Sequence, residues 1–186
     1  GPQIIKKVGI VCEDASGTPT SNGTAYFEIA GATPVIVEYK LNSSATWTLF
    51  SNNAPMIFQI DNLVPNMIYD VRIVSCGATV TTTVAIQTPG AFSATTMAQP
   101  CIGQPYTLSA PEYAGATYQW SNSSGVIANT REFNIPNFNS SYNGVYTATI
   151  TWGGCVVRYF NLIIDSTKCG GPIDDICMDE PVVQDL

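Results

Sequence analysis

NGVYTATITWGGC, residues 143–155, sets how the rest of the chain is read. Side chains alternate in period 2 along Gly144–Trp152, the pattern of a half-buried strand. Gly153-Gly154 tolerates the positive φ of a two-residue turn, and Val156–Ile164 then reads as the returning strand. Tyr146 stands near the start of this hairpin. Two residues later comes Ala148, and the nearby cysteine, Cys155, follows only after the strand has ended.

Working outward, the same alternation recurs in two series. The first predicts strands over Ile4–Cys12, Ala25–Ile29, Val35–Leu41, Thr46–Phe50, Met56–Ile60, Ile68–Ser75 and Val80–Gln87. SGTPTSNGT, LNSSAT and SNNAP separate them as turn clusters. Thr88-Pro89-Gly90 breaks the pattern and marks a boundary. The second series predicts Tyr106–Ser109, Ala116–Ser121, Glu132–Ile135, Gly144–Trp152 and Val156–Ile164. Short strands at regular spacing point to sandwiches, and no helix of ten or more residues stands out.

Composition agrees with that class. Thr, Ser, Asn and Val are abundant while Leu, Lys and Glu are sparse, a bias toward strands and turns. Three Trp, nine Tyr and seven Phe supply material for packed cores. No run of 18 apolar residues exists, so no membrane-spanning segment is expected. The net charge of −7 gathers at the C-terminus, where residues 165–186 carry six acids against Lys168. A basic patch for nucleic acid is lacking. Six cysteines in a chain without histidine, spaced 64, 25, 54, 14 and 8 apart, suit disulfides in an oxidising compartment rather than a zinc site. Gly1-Pro2 reads as a tag scar, and the chain as an excised piece of a longer multi-module secreted protein.

The expected fold is all-β: two tandem β-sandwiches, fibronectin-III-like then Ig-like, with an acidic C-terminal tail. The expected division is 1–3 leader, 4–88 first sandwich, 91–165 second sandwich and 166–186 tail or linker. In VEYKLNSSATWTLF the Tyr and Trp have the rhythm of adjacent strands. In IDNLVPNMIYDVRI, Leu63 fills the core and Tyr69 ties the crossover to its strand. TYQW places Trp120 on the strand that faces the core, and NSSYNGVY places Tyr146 at the corner of the penultimate strand. Trp120, Tyr69 and Tyr146 are thus expected to pack. In GQPYTLSA, Ala110 occupies the position opposite Ala148, so two alanines replace the usual core cysteines.

The first half, VGIVCEDASGTPTSNGTAYFEIAGATPVIVEY through IDNLVPNMIYDVRIVSCGATVTTTVAI, resembles the repeats of large Bacteroidota surface adhesins, gliding-motility adhesins among them. The second half, PCIGQPYTLSA, ATYQWSNSSGVIANT and NGVYTATITWGGC, is similar to the Ig-like modules of the same secreted proteins. The first half departs from the repeats at residues 66–68, which read Asn-Met-Ile where glycine is usual, and is closer to fibronectin III there. The resemblance implies an extracellular, cell-surface place reached by type IX secretion. It further implies a non-catalytic stalk or attachment role, and O-glycosylation at Ser166 within Asp165-Ser166-Thr167, against which stands an ordinary Asp-Ser turn. Both halves place a cysteine before the second strand and another seven to nine residues after the corner tyrosine. Of 15 connectivities, that shared layout favours Cys12–Cys76, Cys101–Cys155 and Cys169–Cys177. Against it, the turns involved lie at opposite ends of a plain Ig sandwich, and bridged Cα atoms must come within about 7 Å.

Catalysis is not expected: without histidine there is no Ser-His-Asp or Cys-His set, and no phosphate-loop or zinc-protease motif occurs. No cofactor is expected. Asp174, Asp175, Asp179 and Glu180 are calcium candidates by ligand type, but lack the spacing of a calcium loop, and a solvated linker is the plainer reading. Trp47 and Trp152 at strand edges are candidate glycan contacts. Asn22, Asn42, Asn122 and Asn139 begin sequons that read as a Ser/Asn-rich surface. The partner is a protein or a surface glycan. The alternatives are a carbohydrate-binding accessory of a glycan-processing protein and a partner-binding component of a surface or secretion assembly.

Overall fold

The computed structural model describes residues 1–31, 34–88 and 98–175. The chain divides into two compact units, Gly1–Pro89 with Tyr113–Gly115, and Gly90–Glu112 with Ala116–Leu186.

The described residues of the first unit form strands β1 Gln3–Glu13, β2 Pro19–Ala30, β3 Val35–Leu41, β4 Thr48–Ala54, β5 Ile57–Leu63, β6 Ile68–Ser75 and β7 Ala78–Ala85. They form a sheet ordered β1-β2-β5 and a second ordered β4-β3-β6-β7. Alternation makes the sandwich. In β6, Tyr69, Val71, Ile73 and Ser75 are buried while Asp70, Arg72 and Val74 are only partly so. Val11, Phe27, Ile60 and Leu63 from one sheet meet Val37, Val71, Ile73 and Val84 from the other in a single core. Phe27 and Phe58 stack with centroids 5.2 Å apart. Each such side chain contributes about 1.5–3 kcal/mol on burial.

Two details tie the sheets together. Ile10 of β1 bridges in parallel to Gln87, and the Val11 N–H donates to the Gln87 carbonyl at 2.8 Å. A Cβ at Gly9 would lie 2.1 Å from the Ala85 carbonyl oxygen, so glycine is required there. The Tyr69 hydroxyl accepts from the Val64 N–H at 2.8 Å, closing the crossover between β5 and β6. The β6–β7 hairpin turns on Cys76 and Gly77 with φ of 50° and 79°, the signs of a type I′ turn. Residues 19–24 and 51–54, expected as turns, belong to β2 and β4. Gly23 and Pro19 pair with Val11 and Glu13 of β1, so ladder pairing overrides their turn propensity.

The second unit comprises β8 Tyr106–Ser109, β9 Thr117–Asn122, β10 Gly125–Ala128, β11 Glu132–Ile135, β12 Gly144–Trp152, β13 Cys155–Ile164 and β14 Asp174–Asp175. One sheet is ordered β10-β9-β12-β13-β14, and β11 pairs with β8 in the other. Trp120, Phe138, Leu108, Ile150 and Val157 are fully buried. The Trp120 indole donates to the Arg131 carbonyl at 2.9 Å, and the Tyr146 hydroxyl donates to the Tyr142 carbonyl at 2.6 Å. Ala148 lies opposite Trp120 across the β12–β9 pair, and both Ala148 and Ala110 are buried.

The expected tail and the expected cysteine pairs both need correction. Cys101 is bonded to Cys169, with Cα atoms 4.8 Å apart, which excludes Cys101–Cys155 and Cys169–Cys177. Cys76 is a free thiol, which excludes Cys12–Cys76. Cys12 and Cys155 are each disulfide-bonded. Strand length is the reason. Cys155 opens β13, and ten residues at about 3.3 Å each carry the chain roughly 30 Å before it reaches Cys169. Cys12 follows Ile10, which bridges to Gln87 just beyond the C-terminal end of β7, whereas Cys76 precedes the N-terminal end of that strand. Residues 166–175 are not a linker. The Gln99 N–H donates to the Gly171 carbonyl, the Gly170 N–H donates to the Gln99 carbonyl, and β14 pairs with β13. Gln99 is buried, donating to the Ile163 carbonyl and accepting from the Asp165 N–H.

Candidate functional site

The outer face of the β4-β3-β6-β7 sheet carries a cross-strand charge ladder. Glu38 stands opposite Arg72 and Lys40 opposite Asp70 in the β3–β6 register. Arg72 Nη2 lies 2.9 Å from Glu38 Oε1, and Lys40 Nζ lies 2.9 Å from Asp70 Oδ2. Asn42 donates to the other oxygen of Asp70 at 2.8 Å. That hydrogen bond, and then Lys40, hold the Asp70 carboxyl below its ordinary value against a small desolvation. Trp47, half-buried, covers the ladder. Its ring centre is 4.1 Å from Arg72 Cζ and 5.3 Å from Lys40 Nζ, a cation–π arrangement.

Trp152 is not a contact residue: it is 1% exposed, because its place in β12 sends it inward with Ala148 and Ile150. The Ser166 hydroxyl accepts from Asn143 Nδ2 at 3.0 Å and its N–H donates to Asn143 Oδ1 at 2.8 Å. Asp165 caps the following 3-10 turn by accepting from the Thr167 N–H and hydroxyl, and these two bonds hold its carboxyl low. The tripeptide is thus an Asx-capped turn in the fold. Asp174 and Asp175 form β14, while Asp179, Glu180 and Cys177 lie outside the described residues. Among the described residues no cluster of three or more metal-ligating side chains occurs, and no helix is long and apolar enough to cross a membrane.

On the second unit, sequence reasoning passed over a concavity of about 440 Å³ on the outer face of β9 and β12. Thr117 and Gln119 line it from β9, Thr149 and Thr151 from β12, in the register Thr151↔Thr117 and Thr149↔Gln119. Tyr118, Asn129 and Val156 complete it. The signal was present: threonine occupies every second position of TATIT, the positions that alternate with the buried Ala148, Ile150 and Trp152.

Neither a protein-family model nor a curated protein matches the chain. Solved structures similar to it are tandem modules. The N-terminal Ig1-2 module of the Drosophila receptor protein tyrosine phosphatase DLAR is 13% identical, with a TM-score of 0.34, over 88% of this chain and 98% of that one. The titin fragment A168169 is 15% identical, with a TM-score of 0.33, over 84% and 96%. Dpr11 IG1 bound to DIP-gamma IG+IG2 gives 11%, 0.34, 84% and 94%. At TM-scores this low the likeness bears no weight. The all-β class, with a sandwich in each unit, rests on the chain's own strands and registers.

Proposed function

We propose that the chain is a non-catalytic contact segment of a secreted bacterial surface adhesin, of the Bacteroidota type its modules resemble. The observation that carries this reading is the Cys101–Cys169 bridge. It staples the start of the second sandwich to the segment following its last long strand, a device suited to a small module working in an oxidising, extracellular setting. The absence of histidine and the mutual pairing of Glu38, Arg72, Lys40 and Asp70 leave those four side chains as an ordered, solvated face rather than acid–base machinery. Half-exposed Trp47 over Arg72 has the side-chain types enriched at contact hot spots.

Beads coated with the chain, incubated with arrayed extracellular-matrix proteins and glycans, test the reading. Retention without turnover of the retained molecule is expected. Failure to retain any, or hydrolysis of a bound glycan, would contradict it.

A further inference from the structure

We infer that the concavity on the second unit's outer sheet face is a binding site for an uncharged oligosaccharide. The inference rests on the reading of the chain as a contact segment and names the ligand class. About 440 Å³ falls within the usual range for small-ligand sites. The lining is hydroxyl and amide: Thr117, Thr149, Thr151, Gln119 and Asn129, with no acid or base among the lining residues. Arg158, opposite Thr149 in the β12–β13 register, is not part of the lining.

The three threonine hydroxyls make no hydrogen bond to other described residues, and Gln119 Nε2 meets Asn129 Oδ1 only at 3.4 Å. Donors and acceptors are therefore available in both senses, which is what a sugar hydroxyl, itself donor and acceptor, requires. Val156, opposite Thr151 in the β12–β13 register, adds apolar surface for the C–H face of a pyranose. The side chains project from two paired strands, so their spacing is fixed before a ligand arrives and little ordering cost is added. No cation among the lining residues is there to pair with a sulfate or a uronic-acid carboxylate, which leaves neutral glycans.

The test is calorimetric titration of the whole chain with neutral hexose oligosaccharides (glucan, mannan and galactan hexamers) and with their sulfated counterparts. T149V/T151V removes two hydroxyls while keeping shape and strand propensity, and circular dichroism melting confirms that it folds. The expected result is binding of at least one neutral hexamer. The double variant should weaken it about tenfold or more, while Ile5→Thr, at an exposed position of β1 in the first unit, leaves it unchanged. Binding of sulfated glycans alone, or affinity unaltered in the double variant, would overturn the inference. If no hexamer binds while a matrix protein is retained on the beads, the inference falls and the contact-segment reading stands. If neither is retained, both fall.

Discussion

At the scale of the residue, the two corner tyrosines do one job with opposite bond directions. Tyr69 accepts from the Val64 N–H, whereas Tyr146 donates to the Tyr142 carbonyl. Tyr69→Phe should therefore cost the first unit about 1 kcal/mol, the net worth of one hydrogen bond, read as a lower urea midpoint with unchanged slope. Asp70 yields a pH prediction. Its folded pKa is depressed, so its contribution is present above its ordinary value near 3.8 and is lost as pH falls through the lower folded value. Urea midpoints measured from pH 5 downward should fall more steeply in the native chain than in Asp70→Asn. Equal slopes would deny the Asn42–Asp70–Lys40 arrangement. These residues were partly legible: Tyr69, Tyr146 and Trp120 follow from their motifs. Trp152 was misread because an aromatic beside a turn looks exposed until its parity with Ala148 and Ile150 is counted. Trp47 lies over a ladder that only the β3–β6 register assembles.

At the scale of the element, strands whose two faces differ sharply in polarity were readable to the residue. Val35–Leu41, Ile68–Ser75, Tyr106–Ser109, Glu132–Ile135 and Gly144–Trp152 have the bounds their alternation predicts. Strands made by their neighbours were not. β10 and β14 are short edge segments whose existence depends on a partner, and the first half of β2 is written in turn residues. Two glycine-dependent sites carry predictions. Gly9→Ala should destabilise the first unit by about 3 kcal/mol, the upper end of overpacking costs, because the obstacle is the Ala85 backbone oxygen. Thermal melting measures it. Cys76, at φ 50° in the β6–β7 turn, should accept asparagine, since Asn-Gly is the preferred type I′ pair. Cys76→Asn is expected to hold or raise the melting temperature, and a marked fall would contradict the turn assignment.

At the scale of the whole molecule, hydrophobic pattern and composition made two all-β sandwiches legible, but the cysteine pairing was not. A layout repeated between halves suggested equivalent bridges, yet strand length decides which cysteines meet. The second unit lacks the bridge across its core, where Ala110 and Ala148 are buried instead, and carries one at its periphery. Closing a loop of 68 residues, that bond should contribute about 4 kcal/mol by restricting the unfolded chain. Burial adds a second global signature. Tyr106, donating to the Ala98 carbonyl at 2.8 Å, has its hydroxyl pKa pushed up to about 12. Its stabilisation is full below pH 10 and is lost as pH rises toward 12, so alkaline unfolding of the native chain should be steeper than that of Tyr106→Phe over that window.

The placement of the bridge is the centre of the account, because it makes residues 98–101 and 166–172 one closed end of the second sandwich. Mass-spectrometric mapping of peptides from the unreduced chain, alkylated before digestion, tests it most directly. The predicted result is a cross-linked pair containing Cys101 and Cys169, with Cys76 alkylated. A cross-link joining Cys101 to Cys155 would contradict it.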